Sequence, residues 1–207
     1  MIESWVKITP SHVVLNGERL AINSLGQKLL VDVYRSRIND YPKFFKMDAL
    51  CKLGFVASEL LLDNTEGKER KSRDDRAVIM FNHSSSLNAD LHYQATIRDK
   101  DNFFPSPSIF VYTLPNIVTG EIAIRNKYYG ETSFYVLDSF DADVVARIVC
   151  EAFIDNGTTS VLCGWVDYVS DDEFMALLFL VHRNVINSHE ELENEIRILL
   201  KNENLIF

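Results

Sequence analysis

The chain has 207 residues, 47% hydrophobic and 25% charged, which is enough apolar material for one substantial core, so we expect one folded domain over residues 1–207. Its 30 acidic and 21 basic side chains give a net charge of -9, which repels phosphate backbones and argues against nucleic acid as a partner. No stretch approaches the roughly eighteen apolar residues of a membrane helix and no apolar signal segment opens the chain, so we expect a cytoplasmic protein without membrane contact.

The first third of the chain predicts a strand and two helices before a polar connection. Asn16-Gly17 follows a short apolar run as a tight-turn signal, and Tyr41-Pro42 ends a helical pattern. A later segment is apolar around nearly its whole circumference and too long for a strand, which predicts a buried central helix. The segments are a strand at 12–15, a helix at 24–38, the buried helix at 46–62 and an exposed loop at 63–75, whose basic run at 68–73 we expect to be solvated.

From residue 77 onward, strand patterns alternate with helix patterns. The run AVIMF at 77–81 is apolar throughout, as in a strand covered on both faces. The alternation predicts an α/β fold with three layers, α/β/α, around a mainly parallel mixed sheet. The predicted strands are 77–81, 133–137, 160–163 and 174–181, and the predicted helices are 86–98, 116–126, 141–155 and 188–200, the last with a capping box at Ser188, Glu190 and Glu191.

Cysteine, histidine and glycine spacing gives no sign of a bound metal or cofactor. Cys51, Cys150 and Cys163 are an odd number without CxxC spacing, which implies neither a disulfide framework nor a zinc knuckle. No two histidines have HxxxH spacing, and the glycines match neither a dinucleotide-binding nor a phosphate-binding loop. We therefore expect no cofactor and no metal site.

A turn, an apolar strand, a polar corner, a helix and a second strand follow one another between Gly130 and Gly164, after a helix that opens at Pro115-Asn116. A strand-to-helix corner of this kind places residues at a helix N-terminus, which favours developing negative charge. This order resembles the amino-terminal half of a β-ketoacyl-acyl-carrier-protein synthase, a condensing enzyme of the thiolase-like fold. The resemblance covers residues 46–183 and implies one half of that fold, with Ser139 where the family has its acyl-accepting cysteine.

Three departures from the family pattern imply a protein without synthase activity of its own. Ser139 replaces the cysteine, Trp165 breaks the glycine pair that begins at Gly164, and the family's second half, with its two activating histidines, does not fit within 207 residues. Acyl transfer and decarboxylation need a low-pKa thiolate and positioned imidazoles. The resemblance therefore implies a non-catalytic ketosynthase-like subunit, similar to a chain length factor, in fatty acid, polyketide or aryl-polyene biosynthesis.

Ser139 is open to two interpretations. It is either the acyl acceptor of an acyltransferase or residual 3-oxoacyl synthase, or a helix cap together with Asp138, and we favour the cap because serine and aspartate commonly occupy it. Cys150 and Cys163 fit core packing, and His83 fits a polar loop at a strand end. No catalytic residue is assigned. The remaining candidates are interpreted as helix or surface residues: His92, His182 and His189.

The strand at 133–137 is the predicted subunit interface, because in the resembled family it pairs with a second subunit. Left unpaired, an apolar edge strand is an aggregation hazard. The implied partner is a full-length ketosynthase or a second copy of this chain, with an acyl carrier protein docking on the partner. A homodimeric binding module unrelated to lipid synthesis is the remaining alternative. The interface residues are Ser133, Phe134, Tyr135, Val136 and Leu137.

Overall fold

The computed structural model describes residues 2, 4–101, 103–154, 156–186 and 188–202. At its centre is a seven-stranded sheet with the spatial order β3-β2-β1-β7-β6-β4-β5. The strands are β1 (Ser4–Thr9), β2 (His12–Leu15), β3 (Glu18–Arg19), β4 (Arg76–Asn82), β5 (Thr132–Val136), β6 (Ser160–Ser170) and β7 (Glu173–His182).

The strand directions confirm the expected mixed sheet. β4 is parallel to both of its neighbours, β5 and β6, whereas β7 is antiparallel to β6 and to β1. β2 is antiparallel to β1 and to β3. Five strands therefore run in one direction, and only β2 and β7 run in the other. Parallel pairing itself is confined to the β5-β4-β6 side of the sheet.

Helices cover the sheet on both faces, and no helix in the described residues is both long and apolar enough to cross a membrane. Tyr34–Ile38 continues the first helix as one π-helical turn, and a 3₁₀ turn at Pro42–Lys46 precedes the second. The helices are α1 (Gly26–Val33), α2 (Ala49–Glu66), α3 (Leu87–Ile97), α4 (Pro107–Phe110), α5 (Ile117–Asn126), α6 (Ala142–Ala152) and α7 (His189–Asn202).

Two hydrophobic cores, one on each face of the sheet, give the three layers that the sequence predicts. Side chains alternate along β4, so that Val78 and Met80 enter the core beneath α2 and α5 while Ile79 and Phe81 enter the core beneath α6 and α7. β4 is buried at every position. This explains why the strand reads as one continuous apolar run rather than as an alternating one.

Several predicted elements differ from the observed ones at their ends. The helix predicted at 46–62 begins later, at Ala49, because Asp48 accepts a hydrogen bond from the Cys51 amide and caps α2. It also extends further, to Glu66. The strand predicted at 160–163 continues through Gly164 to Ser170. The cap at Ser188 is confirmed, since its hydroxyl accepts the Glu191 amide at 3.2 Å. β1 was not predicted.

The expectation that the basic run at 68–73 is solvated is wrong for two of its arginines. The Arg70 side chain is only 8% exposed and lies 3.3 Å from Glu59, whose side chain is 1% exposed in α2. Arg73 donates to Asp75 at 2.8 Å and pairs with Glu66 at 3.2 Å. A buried carboxylate such as Glu59 is tolerated only when it is paired, so the connection is fixed to the helix that it follows.

Gly164 marks the tightest backbone approach in the sheet. It lies in the middle of β6, between Met80 of β4 and Leu178 of β7, with φ of 146°. A Cβ at this position would collide with the backbone carbonyl of Leu177. Since neither strand can move without breaking its ladder, only glycine fits.

Gly164→Ala should lower the free energy of unfolding by about 3 kcal/mol or more, because it adds both backbone strain and a steric clash. The matched control is Gly120→Ala in α5, where a Cβ would meet no atom within 4 Å. That substitution should raise stability by about 0.5–1 kcal/mol, since alanine is the better helix former. Urea unfolding of both variants measures the difference, and equal effects would contradict the packing described here.

Candidate functional site

A cavity of about 460 Å³ opens at the edge of the sheet where β4, β5 and β6 end and β7 begins. The carboxyl ends of parallel strands are the usual ligand-binding edge of an open α/β sheet. The cavity is lined by Thr9, Pro10, His83, Asp138, Ser139, Phe140, Trp165, Asp167, Val169, Asp172, Glu173, Phe174 and Met175. Two residues singled out from the sequence, His83 and Ser139, therefore line one cavity.

Ser139 lies exposed in the turn between β5 and α6, and it is not the helix cap. The cap is Asp141, whose Oδ1 accepts the backbone amides of Asp143 at 2.9 Å and Val144 at 3.4 Å. The prediction that Ser139 and Asp138 cap this helix is wrong because α6 begins at Ala142, too far along the chain for either side chain to reach. Ser139 is thus left at the surface of the cavity.

The N-terminus of α6 already carries negative charge. Asp141 occupies two of its free amides, and Asp143 adds a second carboxylate in the first turn. Helix N-terminal amides stabilise an oxyanion only when they are available to donate to it. Here the Asp143 and Val144 amides donate to Asp141 instead, so these two donors are not available to an oxyanion.

His83 follows β4 directly and is held by the backbone. Its Nδ1 lies 3.2 Å from the carbonyl oxygen of Leu137, which can only accept, so Nδ1 carries the proton and Nε2 is the basic atom. The next residue is also fixed, because the Ser84 amide and hydroxyl both donate to Asp167 Oδ1. Of the five histidines in the chain, His83 alone lines this cavity.

None of the three cysteines can replace the nucleophilic cysteine whose position Ser139 occupies. Cys51 and Cys163 are buried, and burial raises the pKa of both thiols well above its usual value. Cys150 lies on α6, partly buried against the core beneath that helix, and burial raises its pKa as well. A thiol with a raised pKa remains protonated at neutral pH and is a poor nucleophile. None of the three lines the cavity.

Trp165 fills the floor of the cavity. Its side chain is 4% exposed, and its ring centroid lies 5.6 Å from that of Phe140, the residue after Ser139. Phe174 and Met175 extend this apolar surface from β7. The rim is acidic, with Asp138, Asp167, Asp172 and Glu173 around it. The site therefore combines an apolar floor with a rim that repels anions.

β5 forms one edge of the sheet, and in the described residues its outer side pairs with no strand. Phe134 packs against one core and Tyr135 against the other, where it stacks on Phe81 at 5.4 Å. Val136 is 52% exposed, and Leu137 follows the strand. The five predicted interface residues thus lie on this edge strand or immediately after it, next to the corner that carries Ser139.

One group of possible metal ligands occurs in the described residues, and it lies outside the cavity: Asp143, His189 and Glu193. The sequence does not reveal this group because Asp143 is forty-six residues away from His189. His189 and Glu193 alone, one helical turn apart, do not form a recognisable metal motif. Asp167, Phe174 and Met175 were also missed from the sequence. For Asp167 the only signal was its position near the end of a predicted strand.

No protein-family model matches the sequence, and a sequence search finds no similar curated protein. The fold, in contrast, has clear relatives among solved structures. The ishigamide ketosynthase/chain length factor matches with a TM-score of 0.64 at 14% identity, over 90% of this chain and 63% of that chain. The described chain therefore spans less than two thirds of the ishigamide protein that it matches.

Two complexes give similar matches. The ketosynthase ApeO with its chain length factor ApeC, from Xenorhabdus doucetiae, matches with a TM-score of 0.55 at 14% identity, over 95% of this chain and 91% of that chain. AntDE:AntF, a type II PKS acyl-carrier protein in complex with its ketosynthase, matches with a TM-score of 0.56 at 13% identity, over 88% of this chain and 62% of that chain.

The chain therefore has the thiolase-like fold. Within that fold, the three solved structures described above are named as ketosynthases, chain length factors or their complexes, in line with the resemblance seen in the sequence. The three-layer α/β/α arrangement around a mixed sheet is the expected half of the thiolase-like fold.

Asp141→Ala should lower the free energy of unfolding by about 1 kcal/mol, because the first turn of α6 then loses its only side-chain cap. Ser139→Ala should change it by less than about 0.5 kcal/mol, since the exposed hydroxyl makes no capping bond. Urea unfolding compares the two, and Asp141→Ser, which keeps a capping oxygen, should recover most of the loss. A cost for Ser139→Ala as large as that for Asp141→Ala would contradict this assignment.

Proposed function

We propose that this protein is a non-catalytic ketosynthase-like subunit that pairs with a catalytically complete ketosynthase through β5, in the manner of a chain length factor. The observation that carries the proposal is the position of β5: an edge strand, unpaired on its outer side in the described residues, that leads into the corner at Ser139. The relatives of known structure support it, since two of the three are named for a chain length factor.

The hydrogen-bond pattern of β5 supports a strand-pairing role. In a parallel ladder, alternate residues of a strand donate to the same neighbour. The Leu137 amide donates to Asn82 at 2.8 Å, so the amides of Ser133 and Tyr135 also point toward β4, and those of Phe134 and Val136 point outward. Outward amides on an apolar edge are a template for a strand of another chain.

The segment between β4 and β5 also carries exposed apolar side chains. Most of the large exposed hydrophobic side chains of the described residues fall within it or at the end of β5. Exposed apolar side chains mark a protein-binding surface when they form one contiguous patch. The exposed residues are Leu87, Leu91, Phe103, Phe104, Phe110, Val111, Leu114, Ile124, Tyr129 and Val136.

The charge of the site is consistent with a role that leaves chemistry and carrier binding to the partner. An acyl carrier protein is acidic, and the acidic rim of the cavity repels it. A net charge of -9 acts in the same direction. In this proposal the carrier docks on the ketosynthase, and the present chain shapes the space into which the acyl chain grows.

Val136→Pro tests the pairing strand. Proline removes the outward amide of Val136 but no bond to β4, so it should weaken binding to a ketosynthase partner by about tenfold or more, while changing stability by less than about 1 kcal/mol. The ketosynthase encoded nearest to this chain would be co-expressed with it, and the complex measured by light scattering and calorimetry. The control is Val136→Thr, which keeps the amide and should bind like the original chain.

Three outcomes of that experiment contradict the proposal: no complex with any ketosynthase, a complex that Val136→Pro leaves unchanged, or recovery only of homodimers. The last would favour the homodimeric binding module, because a second copy would then occupy the edge of β5. Unfolding of Val136→Pro would be detected by circular dichroism, and Val136→Lys, which keeps the amide and adds charge at the edge, would then replace it.

A second candidate function, an acyltransferase, is favoured by one observation: His83 and Ser139 line the same cavity, with Nε2 of His83 as the basic atom. In that reaction the Ser139 hydroxyl oxygen would attack a thioester carbonyl, forming an ester and releasing the thiol. His83 would accept the hydroxyl proton and return it to the departing thiolate. No cofactor is needed.

Incubation of the protein with an acyl-carrier thioester, alone and with the partner ketosynthase, distinguishes the two functions. We expect no stable mass increase on this chain, because the α6 amides that would stabilise the oxyanion are occupied by Asp141. Intact-mass spectrometry is the measurement. A stoichiometric adduct that disappears in both Ser139→Ala and His83→Ala, but persists in Cys150→Ala, would overturn the non-catalytic proposal.

A further inference from the structure

A second site lies on the far face of the sheet from α2, where the N-termini of α6 and α7 come together. Three side chains from these two helices meet there: Asp143 in the first turn of α6, and His189 and Glu193 on α7. One nitrogen or oxygen from each lies within 4.8 Å of the other two. The group is partly exposed and is not among the residues that line the cavity described above.

The distances in this group are close to those of a coordination sphere. His189 Nε2 lies 3.2 Å from Asp143 Oδ1 and 3.2 Å from the Asp143 backbone carbonyl oxygen. Tetrahedral zinc with bonds of about 2.0–2.2 Å separates its ligands by about 3.3–3.5 Å. Imidazole and carboxylate could therefore hold an ion between them with movements of only a few tenths of an ångström, and Glu193, which has an oxygen within 4.8 Å of both, would move toward the ion to complete the third side.

The spacing on α7 also fits one ion. His189 and Glu193 are four residues apart, so they lie one above the other on the same face of the helix. Because both oxygens that face His189 Nε2 are acceptors, that nitrogen carries a proton when no ion is bound. A metal ion would replace this proton, which is the usual exchange when imidazole becomes a ligand.

The charge around the group attracts a cation. Glu190 and Glu191 lie in the same first turn of α7, and Arg197 donates to Glu193 Oε1 at 2.7 Å. The Arg197 side chain is 50% exposed, so it can turn into solvent and release Glu193. One imidazole and two carboxylates suit zinc and its neighbours, whereas calcium and magnesium prefer oxygen ligands alone.

We propose that Asp143, His189 and Glu193 bind one zinc-like divalent transition-metal ion that fastens α7 to α6. The ion joins two helices whose contact is otherwise made by apolar side chains of the core beneath them. Its binding requires the folded arrangement, because Asp143 is distant in sequence from the two ligands on α7. The ion is therefore structural in this proposal, and it involves neither Ser139 nor the pairing strand.

Zinc chloride, titrated into the full chain that has been freed of metal with a chelator, tests the proposal by calorimetry and thermal unfolding. We expect saturable binding of one ion per chain and, at a large excess of zinc over its Kd, a rise in Tm of about 5 °C or more. Magnesium and calcium at the same concentration should give neither effect. Glu190→Gln, on the same turn but outside the group, is the matched control: it removes one screened charge but no ligand, so it should keep one-to-one binding and weaken zinc affinity by less than about threefold.

His189→Ala and Glu193→Gln should each weaken zinc binding by at least about tenfold. Arg197→Gln should strengthen it, because Glu193 then loses its competing partner. Unfolding in chelator shows whether a variant is folded before zinc is added, and two independent ligand variants guard against the failure of one. Absence of saturable one-to-one binding, or an affinity in both ligand variants within about twofold of the original, would overturn the proposal.

Discussion

A single buried arginine connects the elements on which the carboxyl-end cavity depends. The Arg76 side chain is fully buried at the start of β4, and each of its nitrogens has a partner in a different element. Nε donates to Ser160 of β6 at 2.9 Å, one terminal nitrogen to the Tyr128 hydroxyl at 2.9 Å, and the other to Glu66 of α2 at 2.6 Å. Burial disfavours ionisation of Glu66, but the bond and charge of Arg76 outweigh it and lower the pKa of that carboxyl. A buried guanidinium is tolerated only when it is satisfied in this way, so the amino ends of β4 and β6 and the end of α2 are fixed together.

The two ends of the parallel strands consequently have different properties. The amino ends are fixed by Arg76 and by the ion pair of Arg73 with Glu66 of α2, and Gly130 approaches the Arg76 carbonyl too closely for any side chain. The carboxyl ends lead into turns and the cavity. Even there the backbone is constrained, because Asn82 and Ser85 exchange hydrogen bonds in the turn after β4. Ligand-binding edges of α/β sheets are generally built in this way, on turns that a rigid sheet positions.

The parts of the fold that the sequence predicts are those determined by local pattern. The run at 77–81 and the buried helix at 46–62 are recognisable because burial on all sides requires continuous apolar residues. β1 was missed because it carries the buried polar residues Ser4 and Lys7 and pairs with β7, at the other end of the chain. The ion pair of Arg70 with Glu59 and the metal-ligand group likewise depend on contacts between distant residues. At the corner the sequence favoured Ser139 with Asp138 as the cap, whereas the backbone is extended at Asp141 and makes Asp141 the cap.

The Asp141 cap also bears on whether the corner can support covalent catalysis. A strand-to-helix corner can hold a nucleophile because free amides at the helix N-terminus stabilise the charge that develops beside it. Here a carboxylate accepts those amides, and Asp138 places another next to Ser139 on the cavity rim. An oxyanion forming at this corner would meet the negative charge of Asp138 and Asp141 and find two of the helix amides already occupied, which raises the barrier to its formation. The corner also has a geometric role, because β5, an edge strand of the sheet, ends there. In the function proposed above, β5 needs no cysteine at this corner, but its outer side must remain available for pairing.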